Sequence, residues 1–295
     1  MSIRFDGKIA LVTGAGGGIG RCHALELAKR GAKIIINDLG GSIEGTGGSL
    51  TAAETVVEEI KAAGGEAIAN GDSVADPKGA QNMIDQAVKA YGGIDIVINN
   101  AGILRDKTFA KMTLEDFEAV INVHLMGAVY VTKAAFPVMK ERNYGRIVMT
   151  TSASGLFGNF GQSNYGAAKL ALVGLANTLK LEGDKFNIRA NSVAPVAFTR
   201  MTDGLMPEGA EEKLDPNLVT PAVIYLCSEN APTGHIIEAG AGYFSKVEIV
   251  EGMGVHLSGE ITAEDVADNY AQICDMSGAR TFATSFDAVA AVLGG

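Results

Sequence analysis

The chain is short of cysteine, of positive charge and of long hydrophobic runs, and each shortage excludes something. Its three cysteines, Cys22, Cys227 and Cys274, stand far apart and are odd in number. They form neither a disulfide framework nor a zinc cluster, so no metal is expected and a reducing compartment is. Lys and Arg number 24 against 34 Asp and Glu, a net charge of −10. Such a surface opposes a phosphate backbone or an anionic bilayer, so neither nucleic acid nor membrane is expected as a partner. No apolar stretch is read as approaching the roughly 18 residues of a membrane span. The opening MSIRFDGKIALVTG enters a strand-like run without a leader, and the closing AVLGG is not an SKL-type peroxisomal address. A cytoplasmic location is therefore expected. Internal repeats and Pro-rich linkers are also missing.

What the chain has in excess is glycine, 38 of 295 residues, within a composition that is 47% hydrophobic and 20% charged. That balance can bury a sizeable core. Short runs rich in Val and Ile recur at Ile9–Val12, Ile34–Ile36, Ile94–Ile98, Ile147–Met149 and Ile188–Val193. Helical spacing lies between them at Ile19–Arg30, Leu50–Ala63, Lys78–Tyr91, Leu114–Glu141 and Ser163–Asp184, with Thr113 and Asp116 resembling a capping box. The alternation predicts an α/β fold, a parallel sheet covered on both faces. From about Gly252 the pattern breaks into a tail with helices near Thr262–Cys274 and Phe286–Leu293. The expected division is a main domain over 1–250 and a C-terminal extension over 251–295 packed on it. Gly40–Gly48, GGSIEGTGG, is either a plain surface loop or a lid over the adenosine end of a nucleotide.

The first strand runs into Thr13-Gly14-Ala15-Gly16-Gly17-Gly18-Ile19-Gly20 and then a helix. Glycines there permit a tight turn and let backbone N–H groups approach a pyrophosphate at the helix N-terminus. Asp38 ends the second strand, where a carboxylate can accept from adenosine ribose hydroxyls and would repel a 2′-phosphate. With Gly17 in place of a basic residue, two positions favour NAD over NADP. Tyr165 and Lys169 are four apart, hence on one helix face, and small residues between them leave room for a flat ring. An ammonium nearby, together with an oxidised nicotinamide, would lower the phenol pKa toward general-base work. Ser152 follows a strand and could hydrogen-bond a substrate oxygen.

TGAGGGIG, Asp38, Asn99-Asn100-Ala101-Gly102, Asn122, Ser152 and YGAAK, in this order, resemble the short-chain dehydrogenase/reductase family over residues 5–240. The resemblance implies a single Rossmann-type doubly wound domain with a seven-stranded parallel sheet, working as a homodimer or homotetramer. It implies Tyr165 as acid/base, Lys169 as its tuner and ribose contact, Ser152 as carbonyl polariser, and Asn122 as holder of a proton-relay water. By the same likeness Gly14, Gly18, Ile19 and Gly20 would meet the pyrophosphate of NAD, and Asp72 and Ser73 the adenine. Asn100, with Ala101 and Gly102, would lie by the ribose, and Pro195 and Thr199 by the nicotinamide. Val196 departs from the family, which usually has glycine after that proline. Asn122 has a second reading as a buried, satisfied amide. His124 reads as a packing or interface residue, since no second histidine or cysteine stands near it.

A closer likeness runs through INDLGG, GDSV, NNAGILRDKTF, YGRIVMTTSASGLFGNFGQSNYGAAK and TAEDVADNYAQICD. These resemble the (3R)-hydroxyacyl-CoA dehydrogenase part of the peroxisomal multifunctional enzymes of type 2 and its free-standing bacterial relatives. That implies NAD-dependent oxidation of an acyl-CoA thioester, and the hydratase and lipid-carrier modules of that group are expected to be absent here. Arg105, Lys107, Lys111 and Arg200 are either a basic mouth for CoA phosphates or a solvated charge run. Met201–Leu205, with Met206 and Pro207, is either a movable apolar lid or packed against the body. Two rival readings are a dehydrogenase of a steroid or other secondary alcohol and an NAD-sensing binding protein without turnover. Reduction of an acyl-carrier-protein thioester is disfavoured by Asp38 and the acidic charge.

Overall fold

The β-branched runs assemble into one eight-stranded sheet in this computed structural model, which describes residues 2–199 and 209–294. The strands are β1 Ile9–Thr13, β2 Lys33–Asn37, β3 Glu66–Asn70, β4 Ile96–Asn99, β5 Gly145–Thr150, β6 Ile188–Pro195, β7 Ile236–Gly240 and β8 Tyr243–Val247. Their order is β3-β2-β1-β4-β5-β6-β7-β8, and the pairs from β3 through β7 are all parallel. The helices are α1 Gly18–Lys29, α2 Thr51–Ala62, α3 Pro77–Tyr91, α4 Leu114–Ile121, α5 Gly127–Arg142, α6 Ala153–Phe157, α7 Ser163–Gly183, α8 Ala210–Lys213 and α9 Thr220–Cys227. After the last strand the chain continues with α10 Ala263–Asp268, α11 Tyr270–Ile273 and α12 Ser285–Val292.

Alternation along the strands divides the core in two. Ala10, Val12, Ile34, Ile36, Ile96 and Ile98 face Leu27 of α1, Val56 and Ile60 of α2, and Val223 and Leu226 of α9. Ile9, Leu11, Ile35, Val97 and Ile147 face the other way, toward Met83 and Ile84 of α3, Val131 and Met139 of α5, and Leu172 of α7. Both faces are therefore covered, which is why the central strands read as unbroken apolar runs.

The seven parallel strands are present, and an eighth strand is added at the edge. Ala241 and Gly242, with φ of 51° and 77°, form a two-residue turn between β7 and β8, a connection short enough only for an antiparallel return. The strands β3 and β7 were not among the Val and Ile runs because their sequences, EAIAN and IIEAG, break any apolar run with Ala, Gly and polar residues. The fourth helix differs too. It is interrupted by a π-helical turn over Asn122–Met126, in which the Gly127 N–H reaches back to the Asn122 carbonyl. The whole stretch Leu114–Arg142 is long and apolar enough to cross a membrane by length and composition, contrary to the reading that no such stretch exists. Its Val120, Ala128, Val131, Ala135 and Met139 are buried in the protein core. Thr113 caps α4 by accepting the Asp116 N–H, while the Asp116 carboxylate pairs with Arg105 and Lys107. Only half of the expected capping box is made.

The chain divides into two compact units, Met1–Lys246 and Val247–Gly295. In the second, Thr262 and Thr284 make full capping boxes with Asp265 and Asp287 at the starts of α10 and α12. Glu251 and Arg280 exchange backbone hydrogen bonds of 2.9 Å each way.

Within α1, His23 is fully buried, with Nδ1 2.9 Å from the Thr220 hydroxyl. Burial pushes its pKa down to about 3. Unfolded, a histidine takes up a proton near pH 6.5. The folded state does not, so stability should fall as pH drops from about 6.5 to about 3. His23→Asn should flatten that decline by up to about 1.4 kcal/mol per pH unit in urea titrations; parallel wild-type and variant curves would contradict the assignment.

Candidate active site

Strand order reverses between β1 and β4, and in open parallel sheets such a point leaves a crevice at the strands' carboxyl ends. The glycine-rich turn leaves β1 there and the Asn99–Gly102 segment leaves β4. Thr13 joins them: its hydroxyl accepts the N–H groups of Asn100 and Ala101, each at 3.0 Å. The Asn100 amide returns the contact, donating to the carbonyls of Thr13 at 2.9 Å and Gly14 at 3.1 Å. Asn100 thus braces the turn.

Gly14 and Gly20 leave no room for a side chain. A Cβ on Gly14 would stand 2.8 Å from the Ala101 Cα, and one on Gly20 2.4 Å from the Gly14 carbonyl oxygen. Gly14 and Gly18 also have φ of 63° and 53°. The helix α1 starts at Gly18 behind an extended Gly17, with no capping side chain, and a Cβ on Gly17 would meet nothing within 4 Å. Open space in front of uncapped N–H groups is the setting that holds a pyrophosphate. Ile19 occupies the second position of this helix, and a Cβ on Gly18 would be 3.7 Å from the Thr199 methyl, which brings Thr199 to the same mouth.

Asp38 is anchored at the end of β2, its two carboxylate oxygens accepting the N–H groups of Gly16 and Gly40, each at 2.7 Å. Asp72 accepts from Asn70 at 2.9 Å, and Ser73 caps the next turn through the Ala75 N–H. Both follow β3, on the same side of the sheet end as Asp38. The Gly40–Gly48 loop docks through its Ile43 carbonyl on the Leu104 N–H and its Glu44 carbonyl on the Arg105 side chain. Pro195 closes β6, and Val196 donates its N–H to Ala239 at 2.8 Å.

Ser152, Tyr165 and Lys169 are brought together as expected. Ser152 caps α6, accepting the Ser154 N–H at 3.1 Å. Gly155 lets α6 lie on α7, since a Cβ there would be 2.8 Å from the Lys169 Cβ. The Lys169 amine is buried and donates to the Thr150 carbonyl at 2.6 Å, 5.4 Å from the Tyr165 ring centre. Desolvation pushes its pKa down to about 7. The Tyr165 phenol lies above its ordinary value, raised first by burial and further by Asp106, with the Ser152 hydroxyl acting the other way. The lysine alone therefore does not lower the phenol, and the sequence expectation is met only if a further positive charge arrives in the site.

Asn122 is exposed at the start of the π-helical turn, so its reading as a buried, satisfied amide is corrected. The residue this turn presents is His124, two positions on. It is buried, its ring meets Tyr165 edge to face at 5.1 Å and 88°, and it lies on Gly102, where a Cβ would be 2.2 Å from the ring Cε1. Gly102 is glycine because of that ring. No sequence signal separates this from ordinary packing. Of the expected basic mouth, Arg105 and Lys107 both pair with Asp116, at 3.3 and 2.8 Å. Arg200 and the segment 201–207 lie outside the described residues.

A parallel sheet with an open glycine turn at its switch point, beside a serine, a tyrosine and a buried lysine, defines a dinucleotide-dependent oxidoreductase. The comparisons narrow the class. The family model described as short chain dehydrogenase matches residues 8–213, and the chain belongs to the short-chain dehydrogenase/reductase family, whose members are generally NAD(P)-dependent. Peroxisomal multifunctional enzyme A of Dictyostelium discoideum is 52% identical over 274 residues, 92% of this chain and 61% of that protein. The peroxisomal hydratase-dehydrogenase-epimerase of Saccharomyces cerevisiae is 48% identical over 247 residues, 83% of this chain and 27% of that protein. The structure of full-length peroxisomal multifunctional enzyme type 2 from Drosophila melanogaster superposes with a TM-score of 0.84 at 40% identity, covering 99% of this chain and 50% of that one. The chain thus spans less than two thirds of these relatives.

Gly20→Ala should push its methyl into the Gly14 carbonyl and weaken binding of the reduced nicotinamide dinucleotide by about tenfold or more, about 1.4 kcal/mol. Fluorescence titration measures this, and unchanged affinity would show that the turn does not hold the dinucleotide.

Proposed function

We propose that this chain is an NAD-dependent dehydrogenase that oxidises a (3R)-3-hydroxyacyl-CoA to the 3-oxoacyl-CoA. The observation that carries the reading is the convergence of Ser152, Tyr165 and Lys169 beside the open glycine turn. The substrate class is supported by the likeness to a protein named hydratase-dehydrogenase-epimerase: hydration of an enoyl thioester makes the alcohol that a dehydrogenase then oxidises. The preference for NAD is supported by Asp38, whose anchored carboxylate would accept from ribose hydroxyls and repel a 2′-phosphate.

Residues of the turn from Gly14 to Gly20 would hold the pyrophosphate, Asp38 the adenosine ribose, and Lys169 and Thr199 the nicotinamide half. The chemistry NAD supplies when bound is acceptance of a hydride, and its positive charge lowers the phenol pKa. Tyr165 takes the substrate hydroxyl proton as general base. Ser152 has its oxygen engaged by the Ser154 N–H and its hydroxyl against the Tyr165 phenol, from where it would donate to the substrate oxygen as a carbonyl forms. Lys169, whose pKa burial pushes down to about 7, gains charge as the pH falls and favours the phenolate. Three unpaired cysteines fit a reducing, cytoplasmic setting. Exposed Phe109, Leu114 and Phe157 fit burial against another copy in a homodimer or homotetramer.

The decisive assay is NADH formation from (3R) and (3S) 3-hydroxyacyl-CoAs of several lengths, beside a free secondary alcohol and a hydroxysteroid. Turnover of the (3R) thioesters alone is expected; turnover of the (3S) epimers, or of the free alcohols alone, overturns the substrate reading. Tyr165→Phe should lower kcat by about 10²–10⁴ while leaving NADH binding intact, and a near-wild-type rate would remove Tyr165 from its role. Asp38→Ser should raise the NADP to NAD ratio of kcat/KM by about tenfold, the equivalent of 1.4 kcal/mol.

A further inference from the structure

The segment that leaves β4 runs to the start of α7, and hydrogen bonds lock the two together. The Asn164 amide donates to the Arg105 carbonyl at 3.1 Å, the Gln162 amide to the Asp106 carboxylate at 2.6 Å, and the Lys107 N–H to the Gly161 carbonyl at 2.9 Å. Gln162 is buried, and its own amide oxygen accepts from Asn159 at 3.0 Å. The Asp106 carboxylate is thereby fixed against a residue that stands one helical turn before Tyr165. Its two neighbours are cations, yet Arg105 and Lys107 both pair with Asp116. Asp106 itself is exposed and has no ion pair among the described residues. After burial, its charge is what raises the Tyr165 phenol. A lone carboxylate that hinders the formation of a phenolate works against a general base, and its presence is explained if it also excludes a competing substrate.

We propose that Asp106 is a specificity-determining residue: its charge turns away free 3-hydroxy acids and admits thioesters, whose reacting end is neutral. In a 3-hydroxy acid the carboxylate carbon is two bonds from the carbinol carbon. With the hydroxyl at Ser152 and Tyr165, that second negative charge enters the surroundings of Asp106. Like charges a few ångströms apart and partly shielded from water weaken binding by about tenfold or more. In a CoA thioester the acyl end carries no charge, and the phosphates lie at the far end of the pantetheine arm. The inference rests on the reading of Tyr165 as general base for a 3-hydroxyacyl thioester and adds to it the group that sets acid against thioester.

The titratable groups facing Tyr165 are Lys169 on its own helix, His124 from the π-helical turn, kept neutral by burial, and Asp106. Next to Asp106 stand Arg105 and Lys107, paired with Asp116. Asp106→Asn keeps an oxygen for the Gln162 amide and removes the charge. The test compares kcat/KM for (3R)-3-hydroxybutanoate and for the N-acetylcysteamine thioester of the same acid, which lacks the CoA phosphates. In D106N the ratio of acid to thioester should rise about tenfold or more, whereas loss of a merely structural contact would lower both alike. The acidic limb of the kcat profile for the thioester should move down in pH, because the phenol loses the charge that raised it. An unchanged ratio, or a limb that does not move, overturns the proposal. If D106N does not fold, Asp106→Ser carries the same expectations and the same reversals. Wild-type turnover of (3R)-3-hydroxybutyryl-CoA separates the two readings: with it present, an unchanged ratio in D106N rejects the role of Asp106 alone, whereas its absence rejects the substrate reading and this inference with it.

Discussion

The Thr13 hydroxyl, accepting from two successive N–H groups after β4, is the tie on which the site depends. A parallel sheet that changes winding direction leaves a gap between the strands on either side of the change, and nothing in the ladder itself holds the two departing loops together. Thr13 and Asn100 do so with four hydrogen bonds of 2.9 to 3.1 Å. The glycine turn is thereby held open in front of α1 without a side chain of its own. Gly14 and Gly20 follow from the same constraint, because any Cβ would enter the brace.

The second constraint is the burial of Lys169. A lysine amine in the core forms a strong hydrogen bond to the Thr150 carbonyl and loses much of its preference for charge. It is held there by α6 on one side, through Gly155, and by the widened turn between α4 and α5 on the other. The π-helical turn is more than an irregularity. By lengthening one turn it brings His124 to the core side and leaves Asn122 at the surface.

A chain of contacts links the parts that would touch the two ends of a dinucleotide. The Gly40–Gly48 loop hydrogen-bonds to Leu104 and Arg105, and the preceding Ile103 holds His124 by its backbone. Arg105 and Asp106 in turn accept hydrogen bonds from Asn164 and Gln162, on either side of the start of α7 and next to Tyr165. The low-complexity glycine segment is therefore a docked element of the site's rim.

By itself the sequence determined the alternation of strands and helices, the open glycine turn, Asp38, and the pairing of Ser152 with Tyr165 and Lys169. Each rests on local chemistry: β-branched runs, a backbone that only glycine can follow, and i, i+4 spacing on one helix. It did not reveal β3 or β7, whose EAIAN and IIEAG carry no longer apolar run, nor β8, which depends on a two-residue turn with positive φ at Ala241. Tertiary structure alone decided that Asn100 braces the turn, that Arg105 and Lys107 answer to Asp116, and that the phenol is raised by burial. It also decided that His124, and not Asn122, meets Tyr165. Helical spacing assigns a face by counting 3.6 residues per turn, and one π-helical turn shifts that count. Which side chain then reaches the core is settled by what the neighbouring β4 segment leaves open, and here Gly102 leaves open the space of an imidazole.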